Sequence, residues 1–400
     1  MSFLKNYLKY NEGNETPKDY VLWSALSILS TAAELRFAVD LEQFHITPHL
    51  YVLLVGMSGD RKTFAILKAK DMLVEAVGLD LLTLSGSKET HQGIISTLHK
   101  KDSIRMVLDH RGQSIECRPY TILSFEFASY FAIDPIGMIN FLTDIYDQKV
   151  YTYRLKNEDQ FFANPYVTIL GGCVPRWLAT QMKNEIFCEG FSRRAILVYS
   201  DEVIYLRPTL TPEMQSAWNA CVKRIQEIRL LNGTFILDNV ANEWFWGKWY
   251  GKWTLPSDDF MRAWQRSKHI ALFKIAMLAS LSEKDDLVLT INYLHYALEL
   301  LEKIEKFFPL LTNQMGRGEL SGPANTILQY LRSKGGFELE VLVRKDLLLR
   351  NFKSPIEFWQ VVETLKKTDQ LREVRQPVNG SEKLFLALPE CIKIEPKQTK

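Results

Sequence analysis

Apolar residues fall at helical spacing from Pro17 to about Leu41 (Val21, Leu22, Ala25, Leu26, Ile28, Leu29), behind an Asn-, Glu- and Gly-rich opening that reads as a flexible arm. One long helix is expected there. Residues 50–55 are a continuous apolar run of strand length, and residues 64–77 return to helical periodicity, so strand, loop and helix follow one another. Residues 83–98 read as a strand end, a polar turn and a helix, and further strands are expected at 104–108, 119–125, 166–171 and 195–199. Strands alternating with helices predict an α/β core with a largely parallel sheet and flanking helices.

After Pro208 the pattern becomes helical over 212–230, 239–251, 256–281 and 290–308, with no strong strand among them. A Gly-, Asn- and Ser-rich stretch at 310–325 fits a linker. Helical patterns at 324–334, 341–350 and 354–368 then precede two short strands around Asn379-Gly380. Three helices and a hairpin are the pattern of a winged helix. The expected organisation is an N-terminal arm and helix (1–48), an α/β core (49–210), a helical subdomain (211–310), a linker (311–323), a winged-helix domain (324–390) and a tail (391–400).

Composition narrows the function classes. Of the 400 residues 46% are hydrophobic and 24% charged, which is ordinary for a globular chain, and the length favours two to three domains. No basic leader precedes an apolar stretch and no apolar run is long enough to span a bilayer, so a cytoplasmic protein without a membrane partner is expected. Cys117, Cys173, Cys188, Cys221 and Cys391 show no metal-ligand spacing, which argues against a disulfide framework or a cysteine zinc site. The net charge of +2 neither demands nor excludes nucleic acid, so any such partner has to be argued from local features.

The loop between the run at 50–55 and the helix at 64–77 carries chemistry. A phosphate-binding loop reads GxxxxGK[ST], and Gly56-Met57-Ser58-Gly59-Asp60-Arg61-Lys62-Thr63 supplies it with Arg61 in place of the second glycine. In such a loop the backbone N–H groups point at phosphates, the lysine reaches the β- and γ-phosphates and the hydroxyl ligates Mg²⁺. Gly56, Ser58, Gly59, Asp60, Arg61, Lys62, Thr63 and Phe64 are therefore the candidate contacts for ATP, with Thr63 a candidate magnesium ligand. Hydrolysis also needs an acid at the end of a neighbouring strand. Glu126 is the candidate, as metal ligand or water-orienting group, with Phe125 where an Asp-Glu pair would have its aspartate. It could equally end a strand and cap the next helix.

Three further features bear on catalysis or binding. The strand at 164–178 ends in small residues, which makes Cys173 and Thr168 candidates at its tip. Arg194, and next Arg193, could neutralise charge on a transferred phosphoryl group within one chain or across a subunit boundary, or serve in salt bridges. Trp244, Trp246, Trp249 and Trp253 are interleaved with Lys248 and Lys252 and could stack on single-stranded bases, or form a packed aromatic cluster.

The order of blocks HITPHLYVLLVGMSGDRKT, KETHQGIISTL, SFEF, GGCVPRWL and GFSRRAILVYSD resembles the helicase-like P-loop ATPases of phages and mobile elements, whose loop commonly reads GxxGxRK[ST]. The resemblance covers roughly residues 10–310. It implies that Arg61 is a family trait, that Glu126 holds the acidic strand-end position and that Arg194 is the arginine of the Gly-Phe-x-x-Arg block. The helices at 261–281 and after Thr290 look like the lid of minichromosome-maintenance-like AAA+ proteins, which would bring Arg262, Arg266 or Lys268 to the nucleotide. The implied function is a DNA-dependent ATPase, a replicative helicase or its loader, self-associating as a hexameric ring on single-stranded or duplex DNA. A nucleotide-gated DNA-binding adaptor with weak or no hydrolysis is the alternative, motivated by Phe125. Arg344, Lys345, Lys366, Lys367 and Arg375 are the expected DNA contacts of the winged helix, with Arg350 and Lys353 beside them.

Overall fold

The computed structural model describes the chain except residues 1, 148–149, 155–158, 183–185, 257, 310–320, 353, 379–380 and 392–400. The chain divides into two compact units, Met1–Thr312 and Asn313–Lys400.

The N-terminal segment is not a flexible arm. Residues Phe3–Asn11 form a helix (α1) that buries Phe3 and Tyr7, and the Phe3 amide donates to the Ser282 carbonyl at 2.7 Å. The expected long helix stops early: α2 is Lys18–Ala33, and Glu34, at φ 50°, turns the chain into strand β1 (Phe37–Asp40). Nearly every residue of α2 from Tyr20 on is buried, because its Ala, Ser, Leu and Ile positions run all round the cylinder and other elements pack on every side.

Strand β2 (His45–Ile46) pairs antiparallel with β1, and β3 (Tyr51–Val55) is wholly buried. There follow α3 (Lys62–Val77), α4 (His91–His99), β4 (Arg105–Leu108), β5 (Ser114–Ser124), α5 (Pro135–Asp147), the hairpin β6 (Val150–Arg154) and β7 (Asp159–Ala163), β8 (Pro165–Cys173), α6 (Pro175–Gln181) and β9 (Ala195–Tyr199). A five-stranded sheet has the order β4-β5-β8-β3-β9, with β5, β8, β3 and β9 parallel and β4 antiparallel at the edge. The molecule is thus a mixed α/β structure with parallel strands and flanking helices. Strands β3 and β8, buried at every position, occupy the inner part of the sheet, where both faces are covered.

Residues 211–310 are not a separate helical layer. Helix α7 (Pro212–Ile228) packs on α1 and α3, and strands β10 (Gly233–Leu237) and β11 (Val288–Leu289), absent from the helical pattern, join β1 and β2 in a second sheet of order β11-β10-β1-β2. Between them lie α8 (Asn239–Asn242), a π-helical turn (Glu243–Trp249) and α9 (Asp259–Leu281), and α10 (Ile291–Glu305) packs on α9. The tryptophans of the π-helical turn form an aromatic cluster: Trp244 stacks on Trp249 at 5.8 Å, Trp249 meets Trp253 at 5.0 Å, and the buried Phe245 packs on Phe273 of α9 at 4.6 Å. Buried Glu34 binds this unit together, accepting from Arg229 at 3.0 Å and Arg36 at 3.2 Å and facing Arg105 at 3.4 Å.

In the second unit α11 (Ser321–Ser333), β12 (Phe337–Leu339), α12 (Glu340–Asn351), α13 (Pro355–Lys367), β13 (Arg372–Val378) and β14 (Ser381–Ala387) enclose an apolar core that includes Ile327, Leu331, Val343, Phe358 and Val362. The antiparallel sheet has the order β12-β14-β13. Most of the expected linker, the Asn379-Gly380 turn, Lys353 and nearly all of the tail lie outside the described residues, as does the side chain of Arg350. Among the described residues no helix is long and apolar enough to cross a membrane.

Candidate functional site

Strand β3 ends at Val55, and the loop 56–61 leaves from the C-terminal edge of the parallel strands before α3 begins at Lys62. Ligand crevices of open α/β sheets lie at this edge. The loop is held closed by its own lysine: Lys62 Nζ donates to the carbonyls of Gly56 at 2.7 Å and Met57 at 2.5 Å. Burial lowers the Lys62 pKa from the usual lysine value, while Asp60, Cys173 and Glu126 favour the charged form. Arg61 takes the left-handed conformation (φ 59°, ψ 15°) in which the missing glycine would be unstrained, and its guanidinium pairs with Glu15.

Two glycines let neighbouring groups approach. A Cβ on Gly56 would stand 2.3 Å from the Tyr20 hydroxyl, which donates to the Val55 and Ser200 carbonyls at 2.7 and 3.2 Å and braces the ends of β3 and β9 beneath the loop. A Cβ on Gly172 would stand 2.8 Å from the Phe125 carbonyl and 3.6 Å from Lys62 Cβ. Gly172 therefore lets the turn after β5 lie against the start of α3. That turn carries Phe125 and Glu126, both exposed. One strand, β8, separates β5 from β3, which sets the acid-bearing strand roughly 10 Å from the loop strand.

A cleft of about 600 Å³ runs between these groups, lined by Ser58, Gly59, Asp60, Arg61, Lys62, Thr63, Phe64, Phe125 and Glu126. Part of its wall comes from segments that the sequence pattern did not connect with the loop: Asn14, Glu15 and Thr16, and Pro208. These two segments are joined, the Thr209 amide donating to the Gly13 carbonyl at 2.9 Å, and Asn14 Oδ1 accepts from the Thr16 amide at 2.9 Å. A scan against protein-family models matches none, and no curated protein matches the chain.

Other expected positions stand elsewhere. Cys173 does end β8 beside Lys62, but burial pushes its thiol up to about 12, with Lys62 opposing, so it stays neutral. Thr168 is interior: its hydroxyl meets those of Thr31 and Thr121, each at 3.1 Å. Arg194 precedes β9 and is level with Leu50, six residues upstream of Gly56, so it is about 20 Å from the loop of its own chain. Its guanidinium donates to Asp147 at 2.5 and 3.1 Å and to the Gly190 carbonyl at 2.8 Å, and Arg193 is its half-buried neighbour. A contact from either arginine to a phosphate in the same chain is excluded by this register.

The N-terminal half of α9 reaches that same far end, where Ser267 Oγ lies 3.2 Å from the Arg193 carbonyl. Lys268 is buried against Glu305 at 2.8 Å, Arg262 Nε donates to the Pro256 carbonyl at 3.1 Å, and neither they nor exposed Arg266 line the cleft. The lid expectation fails for these residues because α9 is tied to the N-terminal edge of the sheet.

In the second unit the expected basic surface is diluted by carboxylates. Lys366 lies between Glu363 at 2.6 Å and Glu373 at 3.2 Å, Arg344 faces Glu340 at 3.4 Å, and Arg375 is 4.0 Å from Glu382. Lys345 and Lys367 are exposed. The outward face of α13 is Ile356, Gln360, Glu363, Thr364 and Lys367, with one acid and one base.

Proposed function

We propose that the first unit is a P-loop nucleoside triphosphatase that binds ATP with Mg²⁺ in the 600 Å³ cleft. The observation that carries this reading is Lys62, folded over the loop carbonyls at the C-terminal edge of β3 and facing Glu126 across the cleft. In this reading a β,γ-phosphate draws the ammonium off the Gly56 and Met57 carbonyls, loop N–H groups and the N-terminus of α3 hold the phosphates, and exposed Thr63 ligates the metal. Glu126 orients the attacking water or completes the metal shell. The base and ribose then lie along Asn14–Thr16 and Pro208.

The resemblance to helicase-like ATPases extends the proposal to a DNA-dependent enzyme working as a self-associated ring, with Arg194 acting across a subunit boundary after leaving Asp147. The αβααββ order of the second unit supports a winged helix, in which Lys345, Lys367 and Arg375 are the exposed cations for DNA phosphates. A specific feature favours the alternative of a nucleotide-gated adaptor: Phe125, 45% exposed, lines the cleft where a second carboxylate would strengthen metal binding.

Phosphate release by the full chain, with and without DNA and over a range of salt, separates the two. The ATPase reading expects DNA-stimulated turnover that falls with salt and is abolished by Lys62→Ala with the fold intact by circular dichroism. Turnover retained in Lys62→Ala would remove the assignment. Nucleotide binding without turnover, with or without DNA, would favour the adaptor.

A further inference from the structure

At the opposite, N-terminal edge of the five-stranded sheet a second group of chemistry-bearing side chains converges. Asp40 and His45 are a register pair in the β1–β2 hairpin. The β4–β5 turn brings His110 against them, and that turn is fastened from the β10 segment: Asn232 Nδ2 donates to the Asp109 carbonyl at 3.0 Å and Thr234 Oγ1 to the His110 carbonyl at 2.9 Å. Asp109 stiffens it further by accepting from the amides of Arg111 and Gln113 at 2.9 and 2.8 Å.

One ligand atom each from Asp40, His45 and His110 lies within 4.8 Å of the others. His45 Nδ1 is 3.3 Å from Asp40 Oδ1. That is close to the ~3.3 Å edge of a tetrahedron whose metal–ligand bonds are ~2.0–2.1 Å. The imidazole rings are 4.9 Å apart. His110 Nε2 is a buried atom without a hydrogen-bond partner, and His45 Nδ1 is buried with the Asp40 carboxylate beside it. An orphaned imidazole nitrogen beside a second imidazole and a carboxylate is a cost to the fold unless a further group engages it.

We propose that Asp40, His45 and His110 form a binding site for a divalent transition metal of the zinc class, with Arg111 holding its place until the metal enters. Two imidazoles and one carboxylate suit zinc or cobalt rather than magnesium or calcium, which take all-oxygen sets. Three protein ligands leave a fourth position free. His45, His110 and Arg111 also line a cavity of about 310 Å³, so that position has room for water or a small anion.

Arg111 is the group that would compete with the metal for His45 and Asp40. Its Nη2 stands 2.9 Å from His45 Nε2 and 3.8 Å from Asp40 Oδ2. A guanidinium only donates, so Nε2 accepts and the ring proton sits on Nδ1 toward Asp40. Coordination through Nδ1 moves that proton to Nε2, where it faces the Arg111 donors. Arg111 then has to swing away, and with 51% of its side chain exposed it is free to do so. Removing Arg111 should therefore tighten metal binding, whereas removing a ligand should abolish it.

The test uses the full chain, treated with chelator and titrated with Co²⁺ in excess Mg²⁺ so that any magnesium position at the phosphate loop is occupied. One equivalent of Co²⁺ should produce the visible absorption of a tetrahedral N/O site, and Zn²⁺ should displace it. Asp40→Asn and His110→Ala should weaken binding by more than the ~10- to 100-fold that loss of an outer-shell partner costs. Arg111→Ala should tighten it several-fold. Circular dichroism of each variant separates loss of ligand from loss of fold. No stoichiometric spectrum from the native chain, or unchanged binding in a folded His110→Ala variant, would overturn the site. Weaker binding in Arg111→Ala would overturn the placeholder role.

Discussion

Replacing Arg61 by glycine separates what this side chain does for the fold from what it would do for the proposed nucleotide. Arg61 holds the left-handed conformation at φ 59°, a cost of roughly 1 kcal/mol for a residue with a Cβ. Glycine removes that cost and adds a comparable loss of chain entropy on folding, about 0.5–1 kcal/mol. The ion pair with Glu15 involves a guanidinium that is 53% exposed, and such pairs contribute under ~1 kcal/mol. These contributions nearly cancel, so the midpoint of thermal unfolding should move by no more than about 3 °C.

The effect on ligand is larger. If Arg61 turns from Glu15 to a phosphate, glycine deletes a charge-assisted hydrogen bond of about 1.5–3 kcal/mol, equivalent to a roughly 10- to 150-fold weaker Kd. Titration of the native chain and of Arg61→Gly with a fluorescent ATP analogue at fixed salt measures this directly. Glu15→Gln, which releases the arginine, should tighten binding by up to about 5-fold, the equivalent of ~1 kcal/mol. An unchanged Kd in a folded Arg61→Gly variant would refute the reasoning, since the guanidinium would then remain with Glu15 and take no part at the loop.

On the proposed ATPase reading, Glu126→Gln should leave nucleotide affinity in place and slow hydrolysis by about two orders of magnitude or more in a single-turnover assay, and unchanged turnover would move the water-orienting group elsewhere. Glu34→Ala leaves three guanidinium groups around a buried position and should cost ~3–5 kcal/mol in urea unfolding, while a loss below ~1 kcal/mol would mean that the cluster relaxes into water. Lys274, buried with its ammonium 2.9 Å from both His49 Nε2 and the His49 carbonyl, is held well below the usual lysine pKa by burial, with Asp147 opposing. Below its folded pKa both states are protonated and the full cost of the buried charge is present. As pH rises through that value the fold alone loses the proton, so this contribution to stability grows until the unfolded lysine titrates near ~10.4. Urea unfolding from pH 7 to 9.5 should therefore narrow the stability gap between Lys274→Met and the native chain, and a constant gap would refute it.

Legibility in the sequence followed the range of the interaction. The apolar run 51–55, the glycine-bearing loop and the periodic helix from Lys62 are decided by residues a few positions apart, and strand, loop and helix lie where that pattern sets them. The three helices and paired strands of the second unit were legible for the same reason, except the short β12. Glu126 was visible as an acid after an apolar strand. Its approach to Lys62 depends on Gly172, two strands' worth of sequence away, whose missing Cβ admits the Phe125 carbonyl.

Where pairing is long-range, the pattern misled. Strand β1 continues a helical periodicity in the sequence, yet Phe37 pairs with Gly233 almost two hundred residues later, and a three-residue register has no signature of its own in either segment. Other long-range contacts make the N-terminal residues Asn14–Thr16 a wall of the cleft and draw Asp40, His45 and His110 together from two different hairpins. Arg194 shows the reverse case. Its sequence context left a phosphate contact open within one chain or across a subunit boundary, and the parallel register of β3 and β9, which sets it beside Leu50 and Asp147 at the other end of the sheet, removes the first of these. Local chemistry determined which elements form and which residue types they carry. The direction and register of strands, set by burial of Tyr51–Val55 between β8 and β9, decided which of those residues meet.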